Sequence, residues 1–261
     1  MTLAYTLSGL LVGLLVGLLV GLTGVGGGSL MTPLLTLMFG FSPATAVGTD
    51  LAFASLTKSV GTIAHRNHGH VRWDIVKLLC LGSVPAALVT VAVLKMAGNL
   101  DVRWMHIIRV TIGVSVILTV VSVLFRQRVL GWLARNPRYR LQGSALAIAT
   151  VMIGSALGVL VTVSSIGAGA VGATLILILY PELKSAEVAG TDIAYAVPLT
   201  AVAGLGHMYL GTIDWNLLAS LLVGSIPGIW LGARLSKNLP ERLVRGALAA
   251  TLTVTAIKLV S

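Results

Sequence analysis

The feature that most constrains this chain is the length of its uncharged apolar stretches. No Asp, Glu, Lys or Arg precedes Asp50, and none lies between Arg140 and Glu182. An apolar run of about 18 residues or more crosses a bilayer as a helix, because lipid offers no hydrogen-bond partner to a backbone amide. Only 10% of the residues are charged, whereas a soluble domain carries roughly a quarter. The sequence therefore predicts an all-α polytopic membrane protein with the lipid bilayer around it.

The net charge of +10 is concentrated in two loops between apolar stretches, 126–140 and 234–245. Lys and Arg concentrate in this way in cytoplasmic loops. The charge therefore indicates membrane orientation and argues against nucleic acid as a partner. The first loop carries Arg126, Arg128, Arg135, Arg138 and Arg140, and the second carries Arg234, Lys237, Arg242 and Arg245.

The sequence offers no site for a cofactor or a metal. Its single cysteine, Cys80, lies in an apolar segment and can form neither an internal disulfide nor a thiolate metal site. The chain has no Gly-Lys-Ser/Thr phosphate loop, which argues against an ATPase. We expect no cofactor, no metal ligand and no catalytic residue.

The chain contains one unit written twice. Shifting the sequence by 142 positions aligns 48–85 with 190–227 without a gap, and 13 of the 38 positions are identical. Upstream the shift is 141, so that the glycine-rich stretch 23–28 falls on 164–169. Apolar composition alone does not place Asp, His and Trp in register. The identical pairs include Gly48/Gly190, Thr49/Thr191, Asp50/Asp192, His65/His207, Trp73/Trp215, Gly82/Gly224 and Pro85/Pro227.

Each copy predicts about five membrane segments. The second segment of each half is short, about 20 Å of helix against roughly 30 Å of hydrocarbon, so it either crosses tilted or forms one arm of a re-entrant hairpin. The domains predicted are a first transmembrane repeat 1–125, a basic cytoplasmic linker 126–142 and a second transmembrane repeat 143–261. The segments are 3–22, 28–40, 43–64, 73–95 and 104–125, then 143–162, 168–180, 185–207, 215–233 and 241–260.

The parity of the crossings predicts how the two repeats are related. If both basic loops are cytoplasmic, an even number of crossings separates them, each half crosses an odd number of times, and the repeats are inverted. The loop 65–72 carries Arg66 and Arg72, whereas its equivalent 207–214 carries no Lys or Arg, as inversion requires. Two inverted repeats with Gly-rich interrupted segments in equivalent positions are typical of secondary transporters.

The Gly-rich breaks at 24–28 and 167–172 interrupt apolar helices once in each half. Non-helical backbone inside a membrane is tolerated only where it is buried in protein or lines a cavity. Helix-end N–H groups at such a break carry partial positive charge and suit an anion. The alternative is a tight turn between two helices. As substrate ligands we predict the breaks together with the threonines and the lysine discussed next: Gly26, Gly27, Gly28, Ser29, Thr49, Lys58, Gly167, Gly169 and Thr191.

Asp50 and Asp192 lie about two turns inside helices that we expect to begin near Pro43 and Ser185, which is too deep for a helix cap. A carboxylate inside the membrane costs at least about 2.5–3.5 kcal/mol and usually marks an ion or proton pathway. We interpret both as proton-coupling residues. The alternative is a structural aspartate that accepts from backbone amides freed at the Gly-rich breaks.

Lys58, two turns after Asp50, has Thr200 as its equivalent, so a buried lysine belongs to one half only. It can serve an anionic substrate as a ligand or Asp50 as a counter-ion. His65 and His207 lie at helix ends, where we predict proton coupling beside the equal alternative of anchoring at the membrane interface.

At these motifs the sequence resembles the sulfite exporter TauE/SafE family of membrane permeases. The resemblance covers nearly the whole chain, although many members have Ser where both copies here have Asp50 and Asp192. It implies a secondary transporter of small sulfur-containing anions such as sulfite or organosulfonates, commonly outward, in the bacterial cytoplasmic (inner) membrane. The resemblance rests on Gly24-Val-Gly-Gly-Gly-Ser29 followed by Pro33, on Ala46-Val-Gly-Thr49, on His65…Gly69-x-Val-x-Trp73 and on Gly82…Pro85.

Two other classes of function stay open at this point. An intramembrane enzyme acting on lipid phosphates needs several convergent Arg, Glu or His residues, whereas the polar residues here come as one pair per half. An anion channel needs a continuous pore or a symmetric oligomer. The predicted partners are a small anionic substrate and the bilayer, and a homodimer is compatible with these features.

Overall fold

In a computed structural model of the chain, the described residues are 9–18, 28–37, 39–97, 102–136 and 141–236. Within these ranges every regular element is an α-helix, as the sequence predicts. The predicted last segment, 241–260, lies outside the described residues. The helices are α1 Gly9–Leu18, α2 Gly28–Leu37, α3 Pro43–Asn67, α4 Trp73–Met96, α5 Val102–Arg135, α6 Gly143–Ser164, α7 Ala170–Leu179, α8 Ser185–Tyr209 and α9 Trp215–Ser236.

The helices α3 and α8 begin where local sequence chemistry requires. Ser42 caps α3 by accepting from the backbone N–H of Thr45 at 3.1 Å, and Pro43 in the first turn needs no backbone partner. At the start of α8, the Glu187 side chain accepts from the backbone N–H of Lys184 at 2.9 Å. Both helices therefore begin at the residues that the sequence predicts. They place Asp50 and Asp192 two turns inside their helices.

The helix α5 continues beyond the sequence-predicted segment, and the prediction that a loop begins at residue 126 is wrong. The residues after Phe125 are mostly good helix formers such as Arg, Gln and Leu. The helix ends at Arg135, one residue before Asn136-Pro137, because a residue that precedes proline disfavours the helical conformation. Arg126, Arg128 and Arg135 are therefore helical, whereas Arg138 and Arg140 lie outside the described residues.

The protein is an integral multi-pass membrane protein. Among the described residues, five helices are long and apolar enough to cross a bilayer: α4, the 103–132 part of α5, α6, α8 and the 215–232 part of α9. Large apolar side chains cover their outer faces; Met96 is 86% exposed and Ile226 is 70% exposed. The helix α3 has 25 residues, which is also long enough, but it carries Asp50 and Lys58 toward the interior.

The two halves exchange their fourth helices. The helix α4 packs in a cluster with α6, α7 and α8, whereas α9 packs with α1, α2 and α3. Glycines allow both crossings. A Cβ on Gly82 of α4 would collide with the α6 backbone at Val151, and one on Gly224 of α9 would collide with the α1 backbone at Leu10. Because Gly82 and Gly224 are equivalent in the sequence repeat, the halves make the same contact in both directions.

The helices α3 and α8 run antiparallel at the centre of the molecule. Gly48, near the start of α3, packs on Thr212 just after the end of α8, and Gly190, near the start of α8, packs on His70 just after the end of α3. The loops that follow these two helices therefore lie at opposite ends of the pair.

Candidate functional site

The second Gly-rich break forms a short non-helical segment in the middle of the protein. Helix α6 ends at Ser164, and α7 begins at Ala170. The left-handed φ angles of 134° at Gly167 and 141° at Gly169 explain the glycines, since a side chain would strain this backbone. The Ser164 hydroxyl holds the segment by accepting from Ile166 N–H at 3.1 Å, and it accepts from Ser115 of α5 at 3.0 Å. An interruption is therefore present in this half, over residues 165–169. The predicted bounds 167–172 are wrong at both ends, because residues 170–172 already form the first turn of α7.

Asp50 of α3 is fully buried and held by one short hydrogen bond. The Thr32 hydroxyl of α2 donates to Asp50 Oδ2 at 2.6 Å. Ser165, in the Gly-rich break of the other half, lies beside the same carboxyl. Among the described residues, Asp50 Oδ1 and the Ser165 hydroxyl have no hydrogen-bond partner. The carboxyl is therefore anchored on one oxygen by Thr32, with the Ser165 hydroxyl beside it.

Asp192 of α8 lies against the start of α7. The backbone N–H of Gly169 interacts with its carboxyl. Its Oδ1 atom packs so closely over Gly172 that a Cβ there would collide with it. The Tyr195 hydroxyl approaches the same glycine, and neither it nor Asp192 Oδ1 has a hydrogen-bond partner among the described residues.

Lys58 lies within electrostatic range of both carboxyls, although among the described residues it forms an ion pair within 4.0 Å with neither of them. Its Nζ atom donates to the backbone carbonyl of Ala168, in the Gly-rich break, at 2.9 Å. Its charge interacts with both aspartates, more strongly with Asp192 than with Asp50. The side chain is 7% exposed, so this cation is buried. One cation and two carboxyls thus share a buried polar cluster, here called the Asp–Lys–Asp cluster (Asp50, Lys58, Asp192).

Comparison with known proteins identifies the family. A family model described as "Sulfite exporter TauE/SafE" matches residues 9–259. The chain belongs to the sulfite exporter TauE/SafE family. As a member of this family it is a membrane transporter and not an enzyme.

Three proteins of Bacillus subtilis (strain 168) are similar to this TauE/SafE protein. "Probable membrane transporter protein YjnA" is 35% identical over 92% of this chain and 93% of its own length. "Probable membrane transporter protein YdhB" is 28% identical over 90% of this chain and 92% of its own length. "Probable membrane transporter protein YunE" is 42% identical over 25% of this chain and 23% of its own length. No solved structure matches the chain.

The predicted ligands Thr49 and Thr191 tie the halves of this TauE/SafE protein together. The Thr49 hydroxyl accepts from the backbone N–H of Asp214 at 3.1 Å, and the Thr191 hydroxyl accepts from that of Arg72 at 3.0 Å. Residues 72 and 214 are themselves equivalent in the repeat, so this contact is also made in both directions. A direct role of either threonine in substrate binding stays a prediction.

The predicted histidines lie far from the aspartates. Each follows its aspartate by 15 residues, about 22 Å along a helix. His207 is buried, with Nε2 at 2.9 Å from the Thr162 carbonyl and Nδ1 at 2.9 Å from the Thr212 hydroxyl. The ring of His65, in the last turn of α3, lies 5.8 Å from that of His70 in the loop to α4. The structure does not bring either histidine to the Asp–Lys–Asp cluster, and their role in proton coupling stays a prediction.

The first Gly-rich break falls mostly outside the described residues. Gly26 and Gly27 lie outside them, Gly28 is the first residue of α2, and Ser29 belongs to the same first turn.

Sequence reasoning missed three groups at the site: Thr32, Ser165 and Tyr195. Tyr195 lies three residues after Asp192 on the same helix face. Its equivalent in the first half is Phe53. The hydroxyl that Tyr195 adds beside a buried carboxyl is the sequence feature from which it could have been predicted.

Proposed function

We propose that this TauE/SafE protein is a proton-coupled secondary transporter of small sulfur-containing anions such as sulfite or organosulfonates, in a bacterial cytoplasmic membrane. The observation that carries the proposal is the Asp–Lys–Asp cluster, which both halves build beside the break between α6 and α7. A buried cation offers attraction to an anion, and the buried carboxyls offer sites for protons.

The charges in the cluster support coupling between proton and anion. When Lys58 and both aspartates are ionised, the cluster holds one excess negative charge and repels an anion. A proton on one carboxyl balances the cluster, and protons on both leave the lysine as an unopposed cation. An anion therefore binds best together with at least one proton, and by linkage each favours binding of the other.

The arrangement of the halves supports alternating access. We infer that the two repeats are inverted across the bilayer, because α3 and α8 run antiparallel and make reciprocal contacts through Gly48 and Gly190. An exchange of roles between two such halves would expose a central site to either side in turn. The basic segments 126–140 and 234–245, which begin with the last residues of α5 and α9, would then face the cytoplasm, and residues 208–214 the other side.

In this proposal the substrate is recognised near the cluster by backbone N–H groups of both Gly-rich breaks and by Lys58. Gly167 and Gly169 supply the break of the second half, and Gly26, Gly27, Gly28 and Ser29 supply that of the first. The outward direction rests on the family alone. Because proton and anion move together here, outward flux requires an anion gradient that exceeds the opposing proton gradient.

Flux in proteoliposomes tests the proposal. The purified chain is reconstituted and supplied with a panel of radiolabelled anions, including sulfite, an organosulfonate, sulfate and chloride, with and without a pH gradient. We expect saturable flux of sulfur oxyanions that responds to the gradient. Flux that does not saturate and does not respond to pH would instead indicate a channel.

A further inference from the structure

The start of α7 lies against a carboxyl of the protein itself, that of Asp192. This helix has ten residues, and its first turn rests on the Gly-rich break, with the N–H of Gly172 donating to the Gly167 carbonyl at 2.8 Å. The backbone N–H of Gly169, one residue earlier than the helix, interacts favourably with the Asp192 carboxyl. Helix starts of this kind bind anions through their N–H groups and the helix dipole. Asp192 therefore takes the place of an anionic ligand.

A second observation at the same place points to a ligand. The Tyr195 hydroxyl is completely buried, lies beside Gly172 in the first turn of α7, and has no hydrogen-bond partner among the described residues. Burial without a partner is unfavourable for a hydroxyl, because it loses its hydrogen bonds to water and gains none in return. It is one turn along α8 from Asp192, on the same face. This hydroxyl is a donor that an anion at the start of α7 can use.

Asp192 lacks the side-chain hydroxyl donor that its repeat equivalent has among the described residues. Asp50 receives the Thr32 hydroxyl at 2.6 Å. Thr174, the threonine of α7, donates instead to the carbonyl of Ala170 in its own helix at 2.7 Å, and among the described residues no side-chain hydroxyl donates to Asp192. Asp192 is therefore the carboxyl that can leave its helix start.

We propose that the ionised Asp192 carboxylate and the substrate anion compete for one subsite at the start of α7, and that the Tyr195 hydroxyl donates to the anion that replaces the carboxylate. This inference rests on the proposed function and assigns the coupling to one residue. A proton on Asp192 removes its charge and frees the subsite. An ionised Asp192 closes the subsite again and expels the anion.

The groups that face Asp192 are few. Lys58 approaches from α3 and is shared with Asp50. Tyr195 lies on the same helix, and beyond it Cys80 of α4 contacts the Tyr195 carbonyl at 3.9 Å. Lys58 remains available to the bound anion, so the exchange conserves a cation–anion contact in the cluster.

Binding of methanesulfonate to the purified full-length chain, measured by calorimetry across a pH series, tests the inference. The charge of this probe does not change over the series, so any pH dependence belongs to the protein. For the unmodified protein we expect affinity to fall as pH rises. For Asp192→Asn we expect the affinity to stay at its acid-pH level, which is about tenfold or more above the unmodified protein at alkaline pH, as expected for removal of a nearby buried like charge.

Two further variants make the result specific. Asp50→Asn should keep the decline with pH, because Asp192 is still present. Tyr195→Phe should lower affinity about fivefold or more through loss of one hydrogen bond to an anion. Phenylalanine is already the residue at the equivalent position 53. Asp192→Ser is a second variant without a carboxylate, for use where Asp192→Asn does not fold.

The outcomes separate the inference from the proposed function. If the unmodified protein transports sulfur oxyanions but both Asp192 variants bind more weakly at every pH or keep the decline, the competition is wrong while the transport function stands. The competition is also wrong if Tyr195→Phe binds as the unmodified protein does. If the unmodified protein neither binds nor transports any anion of the panel, both proposals fail.

Discussion

Lys58 of α3 donates from Nζ to the backbone carbonyl of Ala168, in the break between α6 and α7, at 2.9 Å. The contact joins a helix of the first repeat to the interruption of the second. It holds the cation of the Asp–Lys–Asp cluster at the break, where its charge interacts with carboxyls from both halves. Lys58 therefore contributes both to the contact between the two halves and to the charge of the site.

We expect Lys58→Met to reduce anion flux by about tenfold or more, since the substrate loses its cation and the two carboxyls lose theirs. The variant should also unfold at lower temperature, because a buried charge without its partner is costly. Adding Asp192→Asn should recover part of that stability, and thermal unfolding in detergent measures the coupling. Lys77→Met is the control, because Lys77 is exposed on α4. Equal flux in the Lys58→Met and Lys77→Met variants would show that Lys58 does not take part in transport.

Gly172→Ala tests the close packing of Asp192 on α7. The added Cβ would collide with Asp192 Oδ1, so we expect a loss of about 1–3 kcal/mol in stability and a strong loss of flux. Gly131→Ala in α5 is the matched control. Its Cβ would meet no atom within 4 Å, and alanine there should stabilise the helix by up to about 1 kcal/mol. The same thermal and flux measurements apply to both variants, and indistinguishable results would show that Asp192 does not rest on α7.

We expect the two threonine contacts between the halves to contribute equally to the stability of the protein. Thr49→Val and Thr191→Val each remove the acceptor of a backbone N–H in the opposite half, and we expect each to cost about 1 kcal/mol. Thr57→Val is the control, because its hydroxyl donates only within α3, to the Phe53 carbonyl at 2.9 Å. Thermal unfolding compares the three. A cost at one threonine and none at its equivalent would contradict the reciprocal arrangement.

The inverted topology predicts which side each loop faces. In a Cys80→Ala background, single cysteines at positions 128 and 237 should be labelled from the same side of intact cells. A cysteine at position 211, in the loop after α8, should be labelled from the other side. Labelling of positions 128 and 237 from opposite sides would exclude inverted repeats.

Much of the architecture could be predicted because the membrane leaves few choices. The sequence shows where helices run through uncharged apolar stretches, through the cap at Ser42 and Pro43, and through the repeated Gly, Asp and Trp residues. The segments predicted in this way match α3, α4, α6 and α8 closely. The extension of α5 was missed because arginine reads as a loop in a membrane sequence, although it is a good helix former and Pro137 is the first real stop.

The sequence singled out the ionisable residues that the structure brings together, but not the groups that contact them. A carboxyl or lysine in an apolar segment is conspicuous, so Asp50, Asp192 and Lys58 stood out as candidates, and their role in transport stays a prediction. Their hydrogen bonds to Thr32 and Ala168 depend on how helices distant in sequence cross. The exchange of α4 and α9 between the halves has the same cause: glycine permits a close crossing but does not specify which helix arrives.

Proton-coupled anion flux is the most direct test of this account. In proteoliposomes loaded with radiolabelled sulfite or an organosulfonate, an imposed pH gradient should drive flux of the unmodified protein, with protons moving in the same direction as the anion. At equal reconstitution, Asp50→Asn should weaken this dependence and Asp192→Asn should abolish it, while both variants still bind the anion. If both variants retain full pH-gradient-driven transport, the aspartates are structural and proton coupling through them is wrong.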